Sequence, residues 1–130
     1  MLDFGSGSSA YKSTAVEGKA AGADIHKLVL MLFDGFLEEL ARVEGHIQAK
    51  RHDKKAAGME KLLKILSGLD ASLDTDNGGE VALNMQRLYQ HCGHALLQAS
   101  LKDDLTHIDT VRVIMTNLQE GWQGITPNVA

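Results

Sequence analysis

The sequence is poor in cysteine and proline and has no long apolar run, and each scarcity excludes a class of protein. Its single cysteine, Cys92, cannot form an internal disulfide, which favours a reducing compartment. No segment approaches the roughly 20 apolar residues of a membrane span, and the first residues lack the pattern of a secretion signal. A net charge of −4 gives no field that would attract nucleic acid. We therefore expect a cytoplasmic protein with no membrane insertion and no nucleic-acid partner.

What the sequence does contain is helical spacing of apolar residues, first in the stretch from Asp24 to Lys50. Three further segments show the same spacing, and none shows a period-two strand pattern of useful length. The predicted helices are about 25–50, 54–73, 79–101 and 104–124. Short connections between long helices predict the all-α class, as an antiparallel up-down four-helix bundle.

Candidate caps and a turn mark the ends of these helices. Asp24 and Asp53 are in position to cap the first two helices, and Asp103 or Asp104 the fourth. Asn77-Gly78 can adopt positive φ at low cost in the turn before the third. The single proline, Pro127, lies beyond the fourth helix.

The domain organisation follows from composition. Residues 1–23 are rich in Gly, Ser and Ala and predict a flexible N-terminal arm, 24–126 form the bundle, and 127–130 form a tail. Tyr11 is one of the few large apolar residues in the arm. It belongs either to an unattached tail or to a tether that docks on the bundle.

The first helix has more apolar surface than a bundle core requires. One stripe consists of Ile25, Leu28, Leu32, Phe36, Val43 and Ile47, and a second of Leu30, Phe33, Leu37 and Ala41. The third helix places Val81, Met85, Leu88 and Cys92 on its core stripe and adds Leu83, Tyr89, Leu97 and Leu101 outside it. This surplus predicts a groove for an amphipathic partner helix. A homodimer interface or self-coverage by the arm is the alternative.

The sequence offers few candidate catalytic or metal-binding residues. His91 and His94 share a helix face beside Cys92, but no third ligand suggests itself, so a metal-dependent bundle is only the enzymatic alternative. Cys92 is expected to be a buried, inert thiol, and Glu38-Glu39 a solvated pair. Gly35 is the glycine best placed for close backbone approach. We expect no catalytic residue, no metal and no cofactor.

Two strings carry a resemblance to a known family. Leu28–Gly35 (LVLMLFDG) is similar to the string that opens the first core helix of the FliS-type flagellar export chaperones. Leu73–Tyr89 (LDTDNGGEVALNMQRLY) resembles that family's second string, in which the glycines, Asn84 and Leu88-Tyr89 hold fixed offsets. Ala10-Tyr11, Leu101–Asp104 and Gly121–Ile125 match further family features in order, so the resemblance covers nearly the whole chain.

The resemblance implies a non-enzymatic cytoplasmic chaperone that binds the disordered C-terminal segment of flagellin. Such proteins keep this segment from polymerising prematurely and deliver it to the flagellar export gate, a second partner. Together with the surplus surface, it predicts the client contacts Tyr11, Leu30, Phe33, Phe36, Leu37, Asn84, Leu88 and Tyr89. The alternative for Asn84 and Tyr89 is that they tie the third helix to its neighbours. On this prediction, Phe33→Asp abolishes client binding and leaves the helices intact.

Overall fold

The computed structural model describes residues 20–125, with side chains from residue 24 onward. These residues form four α-helices and no strand, which confirms the predicted all-α class. In chain order the helices are α1 (Ala20–Gln48), α2 (His52–Ala71), α3 (Gly79–Lys102) and α4 (Leu105–Gln123). The predicted arm residues 1–19, including Tyr11, and the predicted tail 127–130 lie outside the described residues.

The helices pack as an antiparallel bundle in which each contacts two neighbours. In the described part of the chain, α1 and α3 each pack against α2 and α4, and the backbones of the two diagonal pairs stay farther apart. Side-chain contacts fix the directions. His26 near the start of α1 bonds Trp122 at the end of α4, and Lys55 near the start of α2 bonds Ser100 near the end of α3.

Helix ends follow the predicted caps only in part. Asp104 is the N-cap of α4, and its Oδ1 accepts a hydrogen bond from the Thr106 N–H at 2.9 Å. Asp24 is not a cap, because α1 already begins at Ala20. Asp53 is not one either: it lies inside the first turn of α2, and the N-cap residue is Arg51. An acidic residue near a helix start therefore marks the region but not the terminus.

The turn between α2 and α3 is held by one side chain. Both carboxylate oxygens of Asp74 accept hydrogen bonds from Asn77, one from the backbone N–H at 3.1 Å and one from the side-chain amide at 3.0 Å. The positive φ of 56° falls on Gly79, and not on the Asn77-Gly78 pair as expected. Gly78 is required for space instead, since a Cβ there would lie 2.5 Å from the Asp74 carbonyl oxygen.

The core runs the length of the bundle between all four helices. Its large side chains without exposed surface are Phe33, Phe36, Leu40, Leu62, Leu69, Leu96, Ile108 and Met115. Gly58 of α2 packs tightly against α1, since a Cβ there would lie 2.5 Å from Val43 Cγ2. Gly35, the glycine predicted for this role, has no atom within 4 Å of its Cβ position.

Candidate interaction surface

Two of the predicted client contacts on α1, Phe33 and Phe36, belong to the core. Neither side chain has any exposed surface, so the expectation that they form an outward stripe is wrong. The physical reason is that α1 has two neighbours. One apolar stripe packs towards α2 and the other towards α4, so the two neighbouring helices bury most of the wide apolar arc.

The other two predicted contacts on α1, Leu30 and Leu37, are half-buried beside α4. They lie one turn before and one turn after Asp34, on the same line of the helix. The Asp34 carboxylate accepts a hydrogen bond from the side-chain amide of Gln119 on α4. Leu30 and Leu37 therefore border the seam between α1 and the C-terminal half of α4 and keep part of their apolar surface exposed.

The predicted contacts on α3 differ in depth. Tyr89 is buried in the core, which matches the alternative that it ties α3 to its neighbours and not the prediction that it lies on the surface. Burial raises the pKa of its phenol, and the nearby Asp70 carboxylate raises it further. Leu88 is half-buried and Asn84 is exposed.

Asn84 and Leu88 face away from α2. The α2 side of α3 is marked by Gly93, where a Cβ would meet Leu63 and Leu66 of α2 at 3.9 and 4.0 Å. Asn84 precedes Gly93 by nine residues, about two and a half helical turns, and so lies on the opposite side. Because the other neighbour of α3 is α4, Asn84 and Leu88 lie towards α4.

Four of the predicted contacts therefore flank one helix. The first turns of α3 lie beside the last turns of α4, as do the first turns of α1, since both pairs are antiparallel. Leu30 and Leu37 lie on one side of the C-terminal half of α4, and Asn84 and Leu88 lie on the other. The structure separates the two pairs but places them at the same end of the bundle.

Sequence reasoning missed two apolar side chains at this end. Val81, predicted on the core stripe of α3, is 69% exposed because it lies in the first turn, where the helix projects at the end of the bundle. Ile125, the last residue of the family match Gly121–Ile125, is also exposed just beyond α4. We name the following set the α4-flanking surface: Leu30, Leu37, Val81, Asn84, Leu88 and Ile125.

A second exposed apolar region runs along α3. Leu83, Leu97 and Leu101 are all exposed, which confirms that this helix carries apolar residues outside its core stripe. These side chains lie on the outer side of α3 and not on the side that faces α4.

The candidate catalytic and metal-binding side chains differ in their exposure. Cys92 is fully buried, and burial raises the pKa of its thiol to about 12, as expected of an inert cysteine. His91 and His94 are exposed. Glu39 is buried and not solvated as predicted; it forms ion pairs with Arg42 at 3.1 Å and Lys61 at 3.3 Å.

The described residues contain neither a metal-binding cluster nor a membrane-spanning helix. Between residues 20 and 125, no group of three or more His, Cys, Asp or Glu side chains is arranged to hold a metal ion. Within the same range, no helix combines the length and the apolar character that a membrane crossing requires.

Comparison with known proteins gives a consistent result. The family model described as "Flagellar protein FliS" matches residues 7–129. The flagellar secretion chaperone FliS of Salmonella typhimurium is 35% identical over 126 residues, which cover 96% of this chain and 93% of that protein. FliSB of Pseudomonas aeruginosa is 31% identical over 116 residues, covering 89% and 92%. FliS of Escherichia coli is 33% identical over 118 residues, covering 90% and 87%.

The family model spans nearly the whole chain, and the relatives align over most of their own length. The helical bundle that carries the two matching strings is the architecture predicted from the sequence. The chain belongs to the FliS family of flagellar proteins.

Proposed function

We propose that the protein is a non-enzymatic cytoplasmic chaperone that binds the disordered C-terminal segment of flagellin. It keeps this segment from polymerising prematurely and delivers it to the flagellar export gate. Family membership supports an export-chaperone role, since the relatives are named flagellar secretion chaperones. The observation that carries the client site is the α4-flanking surface, where half-buried and exposed apolar side chains gather at one end of the bundle.

The α4-flanking surface suits an extended client better than a compact one. Its two seams lie on either side of α4, so a single folded helix would fill only one of them. A disordered segment can follow both seams and order itself as it binds. Covering Val81 fully is worth about 1.5–3 kcal/mol, whereas half-buried Leu30 and Leu37 offer less.

The cost of ordering keeps such a complex releasable. A disordered segment loses conformational freedom on binding, and this loss offsets part of the gain from apolar burial. An export chaperone must give up its client at the gate, so moderate net affinity over a large surface matches the task.

The first experiment measures complex formation directly. We expect size-exclusion chromatography with light scattering to show a one-to-one complex between the full chain and a peptide of the host flagellin C-terminal segment. No complex, together with a stable dimer of the chain alone, would contradict the proposal and favour a homodimeric bundle without this client.

A matched pair of variants then tests the site. Val81→Ser should weaken peptide binding by about tenfold, because it removes an exposed apolar contact worth roughly 1.5 kcal/mol. Val113→Ser is the control, since Val113 is 59% exposed but lies on the outer face of α4. Both variants should retain native helicity in circular dichroism. Equal affinities would place the client elsewhere on the bundle.

A further inference from the structure

One continuous line of side chains runs along the outside of α3, on a different side from the α4-flanking surface. Its members are spaced by alternating steps of four and three residues, which keeps them on one stripe of the helix. We call this stripe the outer face of α3: Leu83, Arg87, Gln90, His94, Leu97 and Leu101. All six side chains are exposed, and Leu101 is 80% exposed.

A leucine of α2 widens this stripe near its middle. A Cβ built on Gly93 would meet Leu63 Cδ2 at 3.9 Å, so Leu63 lies directly beside the glycine. Leu97 follows Gly93 by one turn, and Leu63 itself is partly exposed. The missing side chain at position 93 therefore leaves Leu63 partly exposed beside the stripe, and we call Leu63 together with Leu97 and Leu101, one and two turns further along α3, the ledge.

The centre of the outer face carries the cation Arg87 and no carboxylate. No acidic residue occurs from Val81 to Leu101, although the chain as a whole has a net charge of −4. Arg87 and His94 lie on the stripe itself, and exposed His91 lies beside it. Glu60 is the acidic residue on the adjoining part of α2, and its carboxylate is paired with Lys64 at 3.2 Å.

We propose that the outer face of α3 docks an amphipathic helix of a second protein whose carboxylates lie between two apolar ends. The pattern is complementary to Leu83 at one end, Arg87 and His94 in the middle, and the Leu97–Leu101 ledge at the other. Leu83 and Leu101 are 18 residues apart, which corresponds to about 27 Å or five turns of a partner helix.

Charge argues against a second copy of this chain as the occupant. An antiparallel pairing of two outer faces would set Leu83 opposite Leu101 and Arg87 opposite Leu97, and a parallel pairing would set Arg87 opposite Arg87. Either arrangement leaves Arg87 without an acidic partner on the stripe, which disfavours self-association. An acidic helix satisfies both the apolar ends and the central Arg87.

The site is separate from the proposed client site, so the inference does not rest on the proposed function. The α4-flanking residues of α3, Asn84 and Leu88, lie on the side away from α2, whereas the ledge lies on the α2 side. Both partners are therefore expected to bind at the same time.

The test uses a designed 20-residue helical peptide with leucines at both ends and glutamates in the centre. A matched peptide carries lysines in place of the glutamates. In fluorescence anisotropy with the full chain, we expect the glutamate peptide to bind at least tenfold more tightly than the lysine peptide at low salt. Added flagellin C-terminal peptide should not displace it.

Variants of the chain separate the charge and apolar contributions. Arg87→Glu should lower the affinity for the glutamate peptide by about tenfold and raise the affinity for the lysine peptide. Leu101→Gln should lower the affinity for both peptides. Met31→Gln is the control, because Met31 is 68% exposed on α1. The proposal would be overturned if neither peptide bound or if both bound with equal affinity. It would also be overturned if Arg87→Glu left the affinities unchanged or if the flagellin peptide displaced the glutamate peptide.

Discussion

Two helical glycines have opposite surroundings and should respond oppositely to the same substitution. Gly35→Ala adds a methyl group into open space and gains helix propensity, so we expect stabilisation of about 0.5–1 kcal/mol. Gly58→Ala forces a methyl group to within 2.5 Å of Val43 Cγ2 and 3.1 Å of Glu39 Oε2. Overpacking of this kind should cost about 1–3 kcal/mol.

Urea denaturation followed by circular dichroism measures both glycine variants on one scale. Each serves as the control for the other, since both replace a glycine inside a helix by alanine. A destabilised Gly35→Ala or a stabilised Gly58→Ala would mean that α1 and α2 are spaced differently from the structure.

The structure reverses the expectation for Phe33. Because this ring is fully buried among core side chains, Phe33→Ala should destabilise the bundle by about 3–5 kcal/mol. Phe33→Asp should unfold it rather than abolish client binding alone, since an unpaired carboxylate would enter the core. Met31→Ala, two residues away and exposed, should change stability by no more than about 0.5 kcal/mol. Thermal melts that leave Phe33→Asp native would show that the ring is not core.

At the scale of the helix, the start of α4 depends on Asp104. Hydrogen bonding from Thr106, through its side chain and its backbone N–H, holds the pKa of Asp104 below its usual 3.8. A lowered pKa in the folded state stabilises the fold above about pH 4, and this contribution is lost as the pH falls through the lowered value. Asp104→Ala should therefore lower Tm at pH 7 and flatten the fall of Tm between pH 5 and pH 2.

Asp53→Ala is the matched control for this cap. Asp53 was an equally plausible cap from the sequence, yet it lies inside the first turn of α2 and does not occupy the N-cap position. Its replacement should lower Tm at pH 7 less than Asp104→Ala does. Equal effects would mean that general charge near the helix starts matters more than the capping bond.

These elements also show how far the sequence could be interpreted. Apolar spacing predicted four helices and their order because a helix must bury its apolar stripe wherever it packs. Caps such as Asp24 and Asp53 were misplaced because α1 and α2 begin before these residues, at Ala20 and His52, and apolar spacing does not locate a helix terminus to within a turn.

The client site was harder to predict for a related reason. Spacing shows which faces of a helix are apolar but not how many neighbours cover them. Phe33, Phe36 and Tyr89 are covered by neighbouring helices, whereas Val81 is exposed because the helix ends there. Leu30, Leu37, Asn84 and Leu88 keep accessible surface, and their contact with a client remains a prediction.

At the scale of the whole molecule, the first and last helices are joined by a reciprocal contact. The Trp122 indole N–H donates to the His26 carbonyl at 3.0 Å, and His26 Nε2 donates to the Trp122 carbonyl at 2.9 Å. The two rings stack with centroids 5.2 Å apart. This pair closes the bundle at the end that carries the α4-flanking surface.

Trp122→Phe keeps an aromatic ring but removes the donor, so we expect a loss of about 1 kcal/mol in the free energy of unfolding. His26→Ala removes both the stacking and its own hydrogen bond and should cost more. A double-mutant cycle by chemical denaturation should give a coupling of about 0.5–3 kcal/mol. Additive effects would show that the two rings do not act as a unit.

The burial of Cys92 has a practical consequence. A thiol reagent attacks only a thiolate it can reach, and this sulfur lies inside the core with a pKa raised to about 12. Labelling of the only cysteine should therefore be limited by global unfolding of the bundle, and its rate should report how often the bundle opens. A ligand that binds only the closed form should slow labelling by the factor 1 + [L]/Kd. The labelling rate of Cys92 therefore reports client binding, and no probe residue has to be introduced.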